Sequence, residues 1–292
     1  MRLSIETYDL VQKFGYQKAF QLLKAAGFEA VDYSLYWDYE GWLMQDDYRE
    51  KALAIRKALD ETGLVCSQTH APFHSVAANR KDGIAYGQSF DESVPTYLET
   101  IRAMEVSAIL GAEHTVVHSV NTPFDVDLLE YNLPFFKSLQ PYAEKFGIKI
   151  AIENLFRFNA EKKYEHRIGD GTSMNQVYKA LDPAWFVLLV DTGHAKMVGI
   201  EPQDLIRELT PGALCGLHIQ DTDGLKDRHQ LPYMGNLDWD AVLKALKDTG
   251  YRGDFTFEVN HILEPIPDEL AEPALAYCAA VGKYLIAKFN EL

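Results

Sequence analysis

The sequence predicts an α/β fold in which a single (β/α)8 TIM barrel spans residues 1–292. Short apolar runs alternate with amphipathic segments from one end of the chain to the other, which is typical of βα units. No linker rich in serine, proline or glycine interrupts this alternation, and 292 residues is an ordinary length for one barrel. A doubly wound open sheet would favour a glycine-rich phosphate loop after the first strand, whereas residues 6–9 are Glu-Thr-Tyr-Asp.

Eight strands are predicted, because apolar runs of strand length recur along the whole chain. They begin near Arg2, Ala30, Leu64, His114, Lys149, Phe186, Leu214 and Asp254. Four intervening helices are clear from their periodicity and lie at residues 16–28, 46–61, 125–146 and 238–249. A helix-stopping glycine lies at or near the end of each, and the next strand follows within a few residues.

The bulk composition indicates an acidic protein of a reducing compartment. The chain has 43 acidic against 28 basic residues, and its net charge of -15 argues against a general affinity for nucleic acid or anionic membranes. Its three cysteines are far apart and form no disulfide framework. Residues 1–7 resemble a first strand rather than a targeting peptide, and no run is long enough to span a bilayer. We therefore expect a cytoplasmic protein without a membrane or nucleic-acid partner.

Four predicted strands end on an acid or a histidine directly after a buried apolar run. These residues are Glu153, Asp191, His218 and Glu258. If the strands are parallel and close into a barrel, their carboxyl ends share one rim and the four side chains converge. Three carboxylates and an imidazole at one point describe a site for a divalent metal ion.

A second set of polar residues is expected to surround the first four. It consists of His70, His118, His194, Asp227 and His229. Any one of them alone is more often a structural histidine or a helix cap, and Asp191 itself could cap the helix that follows it. The number of these residues and their common position at strand ends favour a functional site over the structural interpretation.

Several loops that follow strands are long and rich in aromatic and polar residues, so they are expected to build the mouth of the site. Residues 70–87 are long enough to form a lid over the site. Trp37 and Phe156 are hypothesised to stack on the C–H face of a sugar, although packing within a surface loop explains them equally well. Exposed aromatic residues at the mouth would equally suit a contact in a homo-oligomer.

The motifs at these positions resemble the xylose isomerase-like barrel superfamily, in particular its branch of sugar isomerases and epimerases and of type-IV apurinic endonucleases. The matching motifs are His70-Ala-Pro72, His118, Glu153-Asn154, Asp191-Thr-Gly-His194, His218, Asp227-Arg-His229 and Glu258. They extend from the third predicted strand to the eighth. One departure is visible, because Tyr233 occupies a position where this superfamily often has the first glycine of Gly-x-Gly.

The resemblance implies roles for most of these residues. In ketose 3-epimerases and in related inosose-processing enzymes, one divalent ion lies at the positions of Glu153, Asp191, His218 and Glu258, and its identity stays open between manganese, magnesium, cobalt and zinc. The positions of Glu153 and Glu258 also exchange protons with substrate carbon. The positions of His194 and Arg228 hold substrate oxygens. In the endonuclease branch, the nine acids and histidines of both sets hold three zinc ions.

Charge favours the sugar enzyme over the endonuclease. One ion among three carboxylates leaves a weakly negative site that suits a neutral polyol, whereas three ions suit a phosphodiester anion. A chain with this acidic excess is poorly equipped to neutralise a DNA backbone. We therefore predict an isomerase or epimerase of a small carbohydrate that acts by proton transfer through a cis-enediolate. The alternatives are a trinuclear-zinc abasic-site endonuclease or phosphodiesterase, an inosose-type dehydratase, and a non-catalytic sugar-binding barrel.

Overall fold

Ten strands and nine α-helices alternate along the chain in a computed structural model that describes residues 1–36, 41–73, 86–159, 161–259, 262–263 and 265–292. The strands are β1 Leu3–Glu6, β2 Ala30–Ser34, β3 Val65–His70, β4 His114–Val117, β5 Lys149–Glu153, β6 Leu155–Phe158, β7 Tyr164–Arg167, β8 Phe186–Asp191, β9 Leu214–His218 and β10 Phe255–Phe257. The helices are α1 Tyr8–Ala26, α2 Tyr48–Thr62, α3 Pro95–Leu110, α4 Leu128–Phe146, α5 Gly171–Lys179, α6 Thr192–Met197, α7 Pro202–Glu208, α8 Trp239–Asp248 and α9 Ala271–Glu291.

Eight strands form one parallel sheet in the order β10-β1-β2-β3-β4-β5-β8-β9. The two ends of this order meet, because Ile219 directly after β9 forms a parallel bridge with Phe257 of β10. The Ile219 amide donates to the Thr256 carbonyl at 2.8 Å, and the Glu258 amide donates to the Ile219 carbonyl at 3.0 Å. The sheet is therefore a nearly closed barrel, and all eight predicted strands are confirmed.

Glycines end the helices as expected. Gly27, Gly63 and Gly147 adopt left-handed conformations with φ of 94°, 67° and 69°, so each stops its helix and turns the chain into the next strand. The first helix differs from the prediction at residues 16–28, because it begins at Tyr8 and kinks at Gly15, where φ is 71°. The predicted segment is the part after the kink. No helix among the described residues has the length and apolar character needed to cross a membrane.

One element was missed by the sequence analysis. Strands β6 and β7 form a two-stranded antiparallel hairpin within the long segment that follows β5. Its polar and aromatic residues resemble a loop, since the hairpin is short and only partly buried. The hairpin rises from the carboxyl rim of the barrel beside Glu153.

The barrel interior has an apolar and a polar half. The side chains of Val116, Ala151, Val187 and Leu189 form a small separate cluster of buried residues on β4, β5 and β8. Strand alternation turns Leu3, Ile5 and Phe257 outward to the large core beneath the helices, so their neighbours face inward. The inward residues of β1, β2, β3 and β10, together with His114 at the start of β4, are buried and polar, namely Ser4, Asp32, Gln68, His114 and Thr256.

Candidate metal centre

Four strand ends place the predicted residues in one group. Glu153 ends β5, Asp191 ends β8, His218 ends β9, and Glu258 follows β10. One oxygen or nitrogen of each lies within 4.8 Å of those of the other three, and all four side chains are buried. We call these residues the central group. The convergence expected from parallel strands in a closed barrel is therefore observed.

A second group shares Glu153 with the central group. His70 and His118 lie with Glu153 so that their ligand atoms fall within 4.8 Å of one another. The Nε2 atom of His118 is 2.9 Å from Glu153 Oε2, and that of His70 is 3.7 Å from the same oxygen. The other oxygen, Oε1, is 2.8 Å from His218 Nδ1. Each carboxylate oxygen of Glu153 thus faces a different group.

A third group joins His194 with Asp227 and His229, again with ligand atoms within 4.8 Å. Asp227 Oδ2 is 3.1 Å from His229 Nε2 and 3.6 Å from His194 Nε2. His194 also approaches the central group, because its Nδ1 is 3.5 Å from Glu153 Oε1. All nine predicted acids and histidines therefore lie at one end of the barrel in three adjoining groups.

Asp191 is both a helix cap and a member of the central group. Its Oδ1 accepts a hydrogen bond of 2.6 Å from the His194 amide at the start of α6, the capping role expected as an alternative. Asn154 pins the same strand end from β5, since its Nδ2 donates to the Asp191 carbonyl at 3.0 Å and its Oδ1 accepts from the Asp191 amide at 2.7 Å. These contacts orient the Asp191 carboxylate toward the centre.

A fully buried aspartate organises the loop that carries Asp227 and His229. Asp221 Oδ1 accepts from the amides of Thr222 and Leu237 at 2.9 and 3.2 Å, and its Oδ2 accepts from the Tyr233 amide and Trp239 Nε1, both at 2.9 Å. Sequence analysis did not single out this residue. A buried carboxylate with four donors holds its loop firmly, because removing it would leave those donors unpaired.

Tyr233 adopts a left-handed backbone conformation with φ of 74°. The loop therefore keeps the turn for which glycine is the usual residue, even though the side chain disfavours it. The departure at Tyr233 leaves Asp227 and His229 in place.

Gln220 connects the central and third groups, and the sequence analysis also overlooked it. Its Nε2 donates to Asp191 Oδ2 at 3.2 Å and to Asp227 Oδ1 at 2.9 Å, while its Oε1 accepts from the His229 amide at 3.0 Å. A Cβ atom at Gly193 would collide with this side chain. Glycine in the Asp-Thr-Gly-His motif therefore makes room for Gln220.

Two further buried acids lie next to the site. Asp32 in β2 accepts a hydrogen bond from His218 Nε2 at 3.0 Å, and Glu6 at the end of β1 accepts from the Tyr8 amide at 2.6 Å. Both were missed, although each is an acid within or at the end of a buried apolar strand. The same signal identified the central group, so it could have found these two residues.

The remaining predicted site residues lie at the edge or outside the three groups. Phe156 packs edge-on against His194, with ring centroids 5.1 Å apart, so it borders the site as expected of a wall. The Arg228 side chain is half-exposed, and its Nε donates to Asp223 Oδ2 at 3.0 Å. This side chain therefore pairs with Asp223 rather than with a member of the three groups, and the expectation that Arg228 holds substrate oxygens gains no support from it. Trp37 and most of the proposed lid, residues 74–85, lie outside the described residues.

The histidines of the site respond to burial and to the surrounding acids in opposite ways. Burial lowers the pKa of His118 to about 3 despite its hydrogen bond to Glu153. Burial would also lower the pKa of His194, but the charges of Asp191 and Asp227 raise it to about 10. The charges of Glu258 and Glu153 likewise raise the pKa of His218 well above its usual value, against the effect of burial.

The carboxylates show the complementary pattern. Burial alone would raise the pKa of Glu153, yet the charge of His218 and hydrogen bonds from neighbouring histidines hold it well below its usual range. Burial raises the pKa of Asp191 to about 7, against the charge of His194. Protonated His194 and His218 thus supply the positive charge that balances these acids. A bound cation would take over this role and displace the proton from His218.

The donor set fits a divalent cation. Three carboxylates and one imidazole offer the oxygen-rich coordination that such ions prefer. Glu258 Oε2 is buried and has no hydrogen-bond partner among the residues that the structure describes. A buried carboxylate oxygen without a donor needs a partner, and a cation at the central group would provide one.

Residues 20–280 match the profile of the xylose isomerase-like TIM barrel. The chain belongs to this family. The structure and the family profile together confirm the predicted fold class and the resemblance inferred from the strand-end motifs.

Curated relatives in this family have several names. An uncharacterised protein y4fM of Sinorhizobium fredii is 31% identical over 163 residues, 53% of this chain and 50% of that protein. L-ribulose-5-phosphate 3-epimerase UlaE of Escherichia coli is 26% identical over 266 residues, 88% of this chain and 85% of that protein. Inosose dehydratase of Bacillus anthracis is 27% identical over 180 residues, 51% of this chain and 58% of that enzyme. The chain thus spans about half the length of several curated relatives that it matches.

Solved structures with the same fold cover almost the whole chain. A D-tagatose 3-epimerase-like protein superposes with a TM-score of 0.73 at 19% identity over 100% of this chain and 99% of the other. The IolI protein with a bound zinc atom superposes with a TM-score of 0.71 at 15% identity, over 99% of this chain and 98% of the other. An AP endonuclease of family 2 from Brucella melitensis superposes with a TM-score of 0.70 at 20% identity, over 96% of this chain and 98% of the other. At these identities the likeness establishes the fold alone.

Proposed function

We propose that this protein is a divalent-metal-dependent epimerase or isomerase of a sugar, a sugar phosphate or a cyclitol. The observation that carries the proposal is the pairing of two buried glutamates, Glu153 and Glu258, with Asp191 and His218 in the central group. The two carboxylates lie on β5 and after β10, which β8 and β9 separate around the barrel, so they can approach a small substrate from different directions. Proton removal and proton return next to a carbonyl need such an arrangement.

The central group would hold one divalent ion through Glu153, Asp191, His218 and Glu258. When bound, the ion would polarise the substrate carbonyl and a neighbouring hydroxyl, which lowers the pKa of the carbon acid between them. An oxygen-rich set suits manganese, magnesium or cobalt, while the adjacent histidines also suit zinc. The IolI protein, which has the same fold, is described with a bound zinc atom, and this supports a metal ion in the proposal.

Glu153 and Glu258 are the two proton carriers in this proposal. One carboxylate takes a proton from the substrate carbon, which leaves a cis-enediolate, and the other returns a proton. Return to the opposite face of the same carbon gives epimerisation, and return to the neighbouring carbon gives isomerisation. In the metal-free site, the charge of His218 holds the pKa of Glu153 well below its usual range against the effect of burial. A bound ion would take the place of that charge and keep the carboxylate ionised, so this residue would start as a base.

The third group and the hairpin would position the substrate. His194 lies between Glu153 and Asp227. It carries a proton, because the charges of Asp191 and Asp227 raise its pKa to about 10 against the effect of burial. A protonated imidazole at this point can donate a hydrogen bond to a substrate oxygen on which negative charge develops. Phe156 packs against the same imidazole and would exclude water from that side.

The names of the relatives support the same chemistry. One relative that aligns over most of both chains is called an L-ribulose-5-phosphate 3-epimerase, and a neighbour in structure is a D-psicose 3-epimerase. An inosose dehydratase would begin with a similar proton abstraction next to a carbonyl, and this relative therefore stays close to the proposal.

The test is exchange of substrate hydrogen with deuterated solvent. Purified protein loaded with manganese, cobalt or zinc is incubated in heavy water with L-ribulose 5-phosphate, D-tagatose, D-psicose or an inosose, and deuterium incorporation is followed by mass spectrometry. Glu153→Gln and Glu258→Gln should each lower exchange by about 10²–10⁴-fold. Glu113→Gln is the matched control, because the Glu113 side chain is 73% exposed near the opposite end of the barrel. Undiminished exchange in either site variant would contradict the two-glutamate mechanism.

A trinuclear metal phosphodiesterase is the second candidate, and one observation favours it. The nine acids and histidines form three adjoining groups, and the two oxygens of Glu153 face two of them. Three divalent ions among four carboxylates would leave a positively charged site suited to a phosphodiester. The net charge of -15 still argues against binding a DNA backbone.

Metal stoichiometry separates the two candidates. Elemental analysis of the purified protein should find one divalent ion per chain for the epimerase and three for the phosphodiesterase. The variant His118→Ala sharpens the comparison, because it removes a member of the second group and leaves the central group complete. The epimerase proposal expects the ion count to stay unchanged in this variant. If wild-type protein binds three ions and His118→Ala binds two, and if the wild type nicks abasic DNA in a chelator-sensitive reaction, the epimerase proposal is wrong and the phosphodiesterase takes its place.

A further inference from the structure

Asp32 is a fully buried carboxylate in β2 that belongs to none of the three groups. Its Oδ2 atom accepts two hydrogen bonds, one of 3.0 Å from His218 Nε2 and one of 2.7 Å from Gln68 Nε2. Neither the strand-end pattern nor the family motifs assigned it a role. Among the described residues, the hydrogen bond that links it to the candidate centre is the one from the imidazole of His218.

The two nitrogens of His218 face different partners. Nδ1 points to the central group, 2.8 Å from Glu153 Oε1 and 3.4 Å from Glu258 Oε2. Nε2 points away from it, to Asp32. A neutral imidazole can offer a lone pair to a cation at Nδ1 only if its proton is at Nε2, and a carboxylate at Nε2 accepts that proton in a hydrogen bond. The contact thus selects the tautomer that a metal ligand needs.

Asp32 is itself held rigidly on the barrel wall. Asp32 and Gln68 are partners in the register of β2 and β3, so their hydrogen bond spans adjacent strands. The Gln68 side chain is itself buried, so water does not compete for this hydrogen bond. Because Asp32 is held in place by the neighbouring strand, its hydrogen bond fixes the orientation of the His218 ring.

A role limited to barrel packing does not account for the chemistry of this contact. The apolar half of the interior is filled by Val116, Ala151, Val187 and Leu189, so aliphatic side chains fill this volume elsewhere in the barrel. A buried carboxylate costs free energy that an aliphatic residue avoids, and Asp32 Oδ1 has no hydrogen-bond partner among the described residues. The interaction with His218 offers a functional reason to retain it.

We propose that Asp32 is a positioning residue for the metal centre: it orients His218, fixes its proton at Nε2 and strengthens Nδ1 as a ligand. The inference rests on the proposed function, since it presumes that the central group binds a divalent ion. Loss of a carboxylate that orients a metal-bound histidine typically weakens metal binding by about 10–100-fold.

The test measures metal affinity, so it does not depend on finding the substrate. Zinc and cobalt affinities of the full chain are determined by competition with a chromogenic chelator, and the visible absorption of the cobalt-loaded protein reports the ligand geometry. Asp32→Ala should bind both metals about 10–100-fold more weakly and shift the cobalt spectrum. Ser4→Ala is the matched control, because Ser4 is an equally buried residue on the neighbouring strand and its hydroxyl pairs with the Ser67 hydroxyl at 3.4 Å.

The outcomes separate the two proposals. If wild-type protein binds the metals and Asp32→Ala binds them equally well, the positioning role is wrong and the metal centre stands. Reduced stability of metal-free Asp32→Ala with unchanged affinity would likewise reduce Asp32 to a structural residue. Should that variant not fold, Asp32→Leu, which is closer to aspartate in size and cannot accept the Nε2 proton, gives the same decision. Wild-type protein that binds neither metal would overturn both proposals.

Discussion

Acid should destabilise this barrel through His114, a buried histidine that belongs to none of the three groups. It begins β4, its side chain lies in the polar half of the barrel interior, and its Nε2 is buried without a hydrogen-bond partner among the described residues. Burial lowers the pKa of His114 from 6.5 to about 4. The folded protein therefore holds this imidazole neutral, whereas the unfolded chain protonates it near its ordinary pKa.

The size of the effect follows from this difference in pKa. One pKa unit corresponds to about 1.4 kcal/mol, so a depression from 6.5 to about 4 corresponds to roughly 3 kcal/mol. Because the unfolded state binds the proton more tightly, this contribution is fully present above pH 6.5 and is lost as the pH falls toward about 4. A loss of this size is a large part of the stability of an ordinary domain.

The assay is urea unfolding of wild-type protein and His114→Gln, each measured near neutral pH and near the folded-state pKa. Glutamine stays neutral, so the variant should lose about 3 kcal/mol less than the wild type on acidification. The carboxylates and histidines of the metal centre titrate in both proteins, so the comparison cancels their contribution. An equal loss of unfolding free energy in both would refute the reasoning, since His114 would then not be the group that responds.

Two further predictions concern the loop after β9 and the central group. Tyr233 has φ of 74°, and this conformation costs an L-residue about 1–2 kcal/mol. Tyr233→Gly should therefore have a free energy of unfolding in urea about 1 kcal/mol higher than that of Tyr233→Ala, which loses the same ring. Equal stabilities of the two variants would show that the turn is not strained. The charges of Glu258 and Glu153 raise the pKa of His218 well above 6.5 despite burial, so a cation must displace its proton and metal affinity should increase with pH. Calorimetry in buffers of different ionisation enthalpy measures this proton release, and its absence would argue against His218 as a ligand.

The strands and the central group could be predicted because they depend on local patterns. An apolar run that ends on Glu153, Asp191 or His218 places its last side chain at the carboxyl rim of any closed parallel barrel. That consequence needs only the strand assignment and closure of the sheet. The left-handed glycines that end α1, α2 and α4 are likewise visible in the sequence, since few other residues adopt this conformation readily.

The supporting residues could not be predicted in the same way. Asp221 and Gln220 follow β9 directly, and nothing in their neighbours indicates that one will cap a loop and the other will connect two groups. The β6–β7 hairpin is only partly buried, so it lacks the alternation that marks a strand against a core. Arg228, expected at the substrate, pairs with Asp223 at the surface.

The sequence alone determines the barrel, through the order of its apolar runs and of the glycines that end helices. It also identifies the residues on the rim, because several strands end on an acid or a histidine. Periodicity along the chain reports which way a side chain faces relative to its own strand, but it contains no information on which side chains from distant strands meet. Only the closed barrel brings Asp32 of β2 to the far nitrogen of His218, 186 residues away, and directs the two oxygens of Glu153 to different histidines. Those contacts depend on distances between strands, which packing in three dimensions decides.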